Sequence, residues 1–187
     1  MNYTYGTPEW DSAFKELAEQ RMEKESKPYI IGSPEWILSF EKALQEDKKY
    51  RDAAKKWEGT VVIHMIGDAK SGIPEDLYVL LDLWHGDCRS VRLVPAEVGK
   101  KGDYVLTAEL DKWQSVLSGE LNAVKGMMKG QIKIKGNLTK MVRFAKAANR
   151  LVEVTGLVGA KFPNELSEDE FAKMKALLDD IRPKFGV

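Results

Sequence analysis

Gly102–Leu151 reads GDYVLTAELDKWQSVLSGELNAVKGMMKGQIKIKGNLTKMVRFAKAANRL, and the order of its pieces decides the fold. Tyr104–Leu110 (YVLTAEL) is a β-branched and apolar run after the turn Gly99–Asp103, so it predicts a strand. Asp111 is the expected cap of a short helix, Lys112–Leu117, closed by Gly119. Asn122–Lys129 predicts one or two further helical turns. In Gln131–Lys135 (QIKIK), Ile132 and Ile134 alternate with lysines, which is the period of a strand, and Gly130 and Gly136 bracket it with turns. Asn137 then caps a helix whose apolar positions Leu138, Met141, Val142, Ala145, Ala148 and Val152 recur at helical spacing.

Working back toward the amino terminus, the same strand chemistry recurs. Thr60–Ile66 (TVVIHMI), Leu77–Trp84 (LYVLLDLW) and Cys88–Val94 are strand runs, separated by the Gly67–Pro74 loop and the His85-Gly86-Asp87 turn. Strands this close, with short turns, predict an antiparallel meander rather than β-α-β crossovers. Upstream lies an internal echo: Gly6-Thr7-Pro8-Glu9-Trp10 returns as Gly32-Ser33-Pro34-Glu35-Trp36. Each copy reads as a helix start, with Thr or Ser as N-cap and Pro in the first turn, giving helices over Pro8–Glu25 and Pro34–Trp57. The alternative is a repeated docking motif whose tryptophans anchor on a partner. Downstream, a linker from Gly156 to Leu166 leads to the capping box Ser167-Glu168-Asp169-Glu170 and a last helix expected to stop before Pro183.

The totals exclude several classes. Of 187 residues, 29 are basic and 29 acidic, so no global field draws nucleic acid or anionic membrane. One cysteine, Cys88, permits no intrachain disulfide and fits a reducing compartment. The start lacks a basic leader with an apolar run, and no apolar stretch approaches the roughly 20 residues of a spanning helix, so a soluble, cytoplasmic protein is expected. Cys88, His85 and Asp82 lack a further ligand for a metal site and a third group for a nucleophile pair; His64 reads as a half-buried strand histidine. No phosphate loop, dinucleotide fingerprint or triad motif occurs, and no cofactor is expected.

The Gly102–Val152 segment resembles the carboxy-terminal half of the sterol carrier protein type-2 domain. The matching pieces are the strand Leu106–Asp111, the pair Trp113 and Leu117, and the turn Gly119-Glu120-Leu121-Asn122, followed by Met127-Met128 and Gly130-Gln131-Ile132-Lys133-Ile134-Lys135-Gly136-Asn137. The likeness is looser over Pro34–Val98 and covers neither end. It implies an α+β fold: a five-stranded, mostly antiparallel sheet, covered on one face by helices, with an apolar tunnel between the layers. The organisation then becomes an N-terminal helical extension (1–31), a lipid-binding domain (32–155), and a linker with C-terminal helix (156–187). The amphipathic end helices either extend the core, close the tunnel as a lid, or join two subunits in a homodimer.

The function implied is non-catalytic binding or transfer of a hydrophobic ligand such as a fatty acid, acyl-CoA or sterol-like lipid. Its tunnel residues are expected to be Trp84, Leu106, Trp113, Leu117, Met127, Met128, Ile132, Ile134, Met141 and Phe144. Methionines suit a cavity with a variable occupant, though they equally plug cores. Burying a sixteen-carbon chain from water yields on the order of 10 kcal/mol at about 0.8 kcal/mol per methylene, but from a bilayer the net change is near zero, which favours exchange. Between Glu120 and Glu153 there are eight basic residues and no acidic one. Lys129, Lys133, Lys135, Lys140 and Arg143 are thus candidates for anionic headgroups, through transient membrane contact or the phosphates of an acyl-CoA; otherwise this is a solvated face balanced by acidic residues elsewhere. The competing functions are a scaffolding protein with a filled core and an enzyme acting on a lipid or thioester.

Overall fold

The structure, a computed structural model, describes residues 2–187. Five strands, β1 (Val61–Ile66), β2 (Leu77–Trp84), β3 (Asp87–Leu93), β4 (Tyr104–Glu109) and β5 (Lys133–Lys135), form one sheet in the order β3-β2-β1-β4-β5. The sheet is mixed but mostly antiparallel. Neighbours pair antiparallel except β1 and β4, which run parallel with Val61 opposite Tyr104 and Ile66 opposite Glu109. The expected meander therefore ends at β3. The chain returns across the back of the sheet through the one-turn helix α4 (Ala96–Gly99) and enters β4 beside β1. Two glycines make so short a crossover fit. A Cβ on Gly99 would sit 2.5 Å from the Tyr78 ring, and one on Gly102 2.5 Å from Val62 Cγ2. Sequence reading took both as ordinary turn residues, but their role is close approach to the sheet.

The opposite face of the sheet carries the helices. α2 (Pro34–Glu46) lies along the β3 edge, where the Val91 N–H donates to Glu41 Oε2 (2.8 Å) and Gln45 Nε2 donates to the Cys88 carbonyl (3.1 Å). An otherwise open strand edge is thereby closed. The expected single helix over Pro34–Trp57 breaks at Asp47, whose extended backbone separates α2 from α3 (Lys48–Ala53). Asp47 Oδ1 accepts from the Tyr50 N–H at 2.6 Å, so a side-chain bond replaces the helical one. α5 (Leu110–Leu117) follows β4 directly with Glu109 rather than Asp111 at the cap position. α6 (Ala123–Met128) is capped by Asn122, and the fifth strand is shorter than the QIKIK run because the Gln131 N–H bonds the Gly126 carbonyl instead of a strand. The expected helix from Leu138 to Val152 is two helices, α7 (Leu138–Arg143) and α8 (Ala145–Val158), broken at Phe144.

Both ends join the same apolar core. The echo is two similarly capped helices: Thr7 Oγ1 accepts from Trp10 N at the start of α1 (Pro8–Lys24), and Ser33 Oγ from Trp36 N at the start of α2, each at 3.3 Å. Trp10 and Phe14 pack on Phe185 of α9 (Glu168–Phe185). α9 runs through Pro183, contrary to expectation, because that proline removes one bond near the helix end, where terminal carbonyls find outside donors. The Trp10 indole N–H bonds the Phe185 carbonyl (3.0 Å) and the Tyr3 N–H that of Lys184 (2.8 Å). Partly buried ion pairs fix α1 to the body: Arg21 bridges both Glu35 oxygens (2.7 and 3.0 Å), and Arg92, which also binds Glu41, binds Asp11 (2.6 Å). The apolar faces that suggested a subunit joint are thus covered within one chain.

Candidate functional site

Alternation along the strands decides which side chains meet the helices. Val61, Ile63 and Met65 of β1, Leu81 and Leu83 of β2, and Leu106 of β4 point to one face, where Ile31, Trp36, Phe40, Tyr50 and Trp57 wall one side. Trp113, Val116, Leu117, Ala123, Met127, Met141, Phe144 and the inner face of α8 form the roof. These residues line a cavity of about 80 Å³. Native interiors hold few voids larger than a water molecule, so space of this size beneath so many apolar side chains is unusual. Among the described residues, no charged one lines it.

The polar atoms of the wall are mostly spoken for. The indole N–H groups of Trp36, Trp57 and Trp113 donate to the carbonyls of Gly159 (3.0 Å), Gly59 (2.9 Å) and His64 (3.2 Å). Thr155 Oγ1 donates to the Val152 carbonyl at 2.6 Å. Water gains little in such a space, since a buried water typically needs several polar partners. An apolar cavity of roughly 150 Å³ takes up benzene, and this void is about half that size. A long chain requires the wall to give, and the flexible Met127 and Met141 are the side chains best suited to it.

Six of the ten expected tunnel residues line the cavity: Leu106, Trp113, Leu117, Met127, Met141 and Phe144. Trp84 does not. It follows Leu83, so alternation turns it to the other face, where it is 40% exposed beneath Arg89 and stacked on His85. Met128 also lies outside, one helical step from Met127 and 63% exposed. Ile132 is buried against α6, and Ile134 packs half-buried on the core opposite Leu106; neither reaches the void. The aromatic residues of α2, α3 and Trp57 were missed, as was the β1–β2 floor. The period-two apolar phase of Val61, Ile63, Met65, Leu81 and Leu83 was the available signal, and it also excludes Trp84.

The basic run surrounds the roof. Lys129, Lys133, Lys135 and Arg143 are exposed, and among the described residues none has a carboxylate within ion-pair distance. Lys135 donates to the Lys100 carbonyl (2.6 Å). Lys140 is committed elsewhere, donating to the Glu58 carbonyl (3.0 Å) and lying over the Trp57 and Tyr104 rings. Arg150 of α8 forms a forked pair with Asp47 (3.0 and 2.6 Å), tying the roof to the α2–α3 junction. Among the other chemistry-bearing residues, His64 binds Thr107 (2.9 Å) and Asp76 (2.8 Å), and His85 binds Glu58 (2.6 Å). Burial, reinforced by Glu41 and Asp82, pushes the Cys88 thiol up to about 12, far from a reactive thiolate.

The SCP-2 sterol transfer family matches residues 40–149, more than half of the chain. The chain belongs to that family. Among solved structures, a crystal structure of sterol carrier protein 2 is 36% identical, covering 67% of this chain and 96% of that one with a TM-score of 0.62. A conserved hypothetical protein from Thermus thermophilus, solved in solution, is 34% identical over 73% of this chain and 94% of that one, with a TM-score of 0.64. No curated protein matches the chain. Lipid or sterol binding or transfer is thus the general activity to which this SCP-2 family fold belongs. No helix among the described residues is long and apolar enough to cross a membrane.

Proposed function

We propose that this SCP-2 family chain binds a hydrophobic ligand in the cavity between sheet and helices and carries it without chemical change, acting in the cytoplasm. The supporting observation is the void itself, walled mostly by apolar side chains and, among the described residues, by no charged one. Fatty acyl chains, acyl-CoA tails and sterol-like lipids share the apolar body it accepts. The thiol of Cys88 is buried and its proton firmly held, which supports a passive role. The exposed Met128 and the neighbouring Lys125, Lys129, Lys133 and Arg143 support transient contact with an anionic membrane through the roof, each basic residue near such a surface contributing about 1 kcal/mol.

Mass spectrometry of lipid extracted from the mildly purified protein tests this reading. Stoichiometric fatty acid, sterol or other lipid is the expected result. Protein that repeatedly carries none, and that takes up no fluorescent fatty acid, is instead a scaffold with a filled core.

A further inference from the structure

Tyr50 is the polar side chain of the cavity wall left without a partner. It projects from α3, a helix that exists because Asp47 breaks α2 and caps the Tyr50 N–H. The residue is 1% exposed and lines the cavity, and burial raises its phenol well above the ordinary tyrosine value, so the hydroxyl keeps its proton as a donor. Among the described residues, no side chain or backbone group hydrogen-bonds that hydroxyl. Ser39 Oγ is the only side-chain polar atom there that is both sealed in and unpartnered. Tyr50 Oη therefore lacks a partner without being sealed, and the residue that carries it lines the cavity. A buried hydroxyl left unpaired is unfavourable, and a ligand atom can relieve that penalty.

We propose that Tyr50 Oη anchors an uncharged oxygen of the bound molecule, so that the cavity selects a neutral amphiphile bearing a hydroxyl or carbonyl at its buried end. A carboxylate is disfavoured there because no cation among the described residues lines the wall and an uncompensated buried charge is costly. An acid binds tail-first, with its charge outside by the basic rim. This inference rests on the cavity being a ligand site.

Displacement of a fluorescent fatty acid by 1-decanol and by n-decane, with wild type and Tyr50→Phe, tests it. The substitution removes one oxygen and keeps the ring. Decanol affinity is expected to fall about 2–10-fold in Tyr50→Phe, the worth of one net hydrogen bond, while decane affinity stays within twofold. In the wild type, the ring carbon signals of labelled Tyr50 shift with decanol in a way decane does not reproduce, a readout independent of the variant's folding. Equal decanol affinity in both proteins, or identical shifts with both probes, overturns the anchor while leaving the ligand site intact. Failure of both probes and the dye to bind overturns the carrier reading, and the anchor with it.

Discussion

The floor and the roof of the cavity are built on opposite principles. β1 sits at the centre of the sheet, bonded along its length to β2 and β4, and it shows Val61, Ile63 and Met65 to the void from a backbone with two partners. The roof over Met127 and Met141 is α6 and α7, helices of six residues each. Isolated helices below about 12 residues are marginal, so these depend on packing, on the Asn122 and Asn137 caps and on the Arg150–Asp47 tie. A stiff floor fixes the shape of the space, and in the proposed function a segmented roof is the side that would open to a ligand. The unbalanced basic charge lies on the roof, the face proposed above for membrane contact.

Predictions follow that contrast. On the floor, Leu81→Ala enlarges a void beneath a fully buried side chain, and urea unfolding is expected to show a loss of about 2–5 kcal/mol. A loss near that of a surface substitution contradicts a tightly packed floor. At the tie, the Arg150 guanidinium holds the Asp47 carboxyl below its ordinary value against the opposing effect of burial, with the Tyr50 N–H assisting. A depressed carboxyl contributes stability that is complete above its unfolded value, about 3.9, and is lost as pH falls through the lower folded value. Asp47→Asn should therefore be less stable than wild type at pH 7, with the gap closing below about pH 4. A gap that stays constant with pH removes the tie from the account. On the outer roof, Met128→Glu should change stability by no more than about 0.5 kcal/mol yet lower cosedimentation with phosphatidylglycerol vesicles. Unchanged cosedimentation separates the roof from membrane contact.

The strands were legible because β-branched runs between glycine-rich turns have few other uses, and the likeness of Gly102–Val152 placed them in one sheet. The parallel β1–β4 pairing was not legible from spacing alone, since it depends on Gly99 and Gly102 lying against Tyr78 and Val62, contacts far apart in sequence. The breaks at Asp47 and Phe144 were equally hidden. Neither is a glycine or proline: Asp47 caps the Tyr50 N–H and is held by Arg150 from α8, and Phe144 meets Trp57 and the cavity. The expected residues that line the cavity lie in the segment that carried the family likeness, whereas Tyr50, which carries the proposed anchor, lay in what read as the middle of a uniform helix.

Ala148 sits in the roof wall of the void, where a larger side chain would occupy the space a ligand needs. The decisive measurement is the binding isotherm of a fluorescent fatty acid to wild type and to Ala148→Trp, with circular dichroism verifying that the variant is folded. Saturable one-to-one binding by the wild type and its loss in the folded variant is the result expected if the space between sheet and helices holds the ligand. Undiminished binding by the filled protein would place the ligand elsewhere and contradict the account.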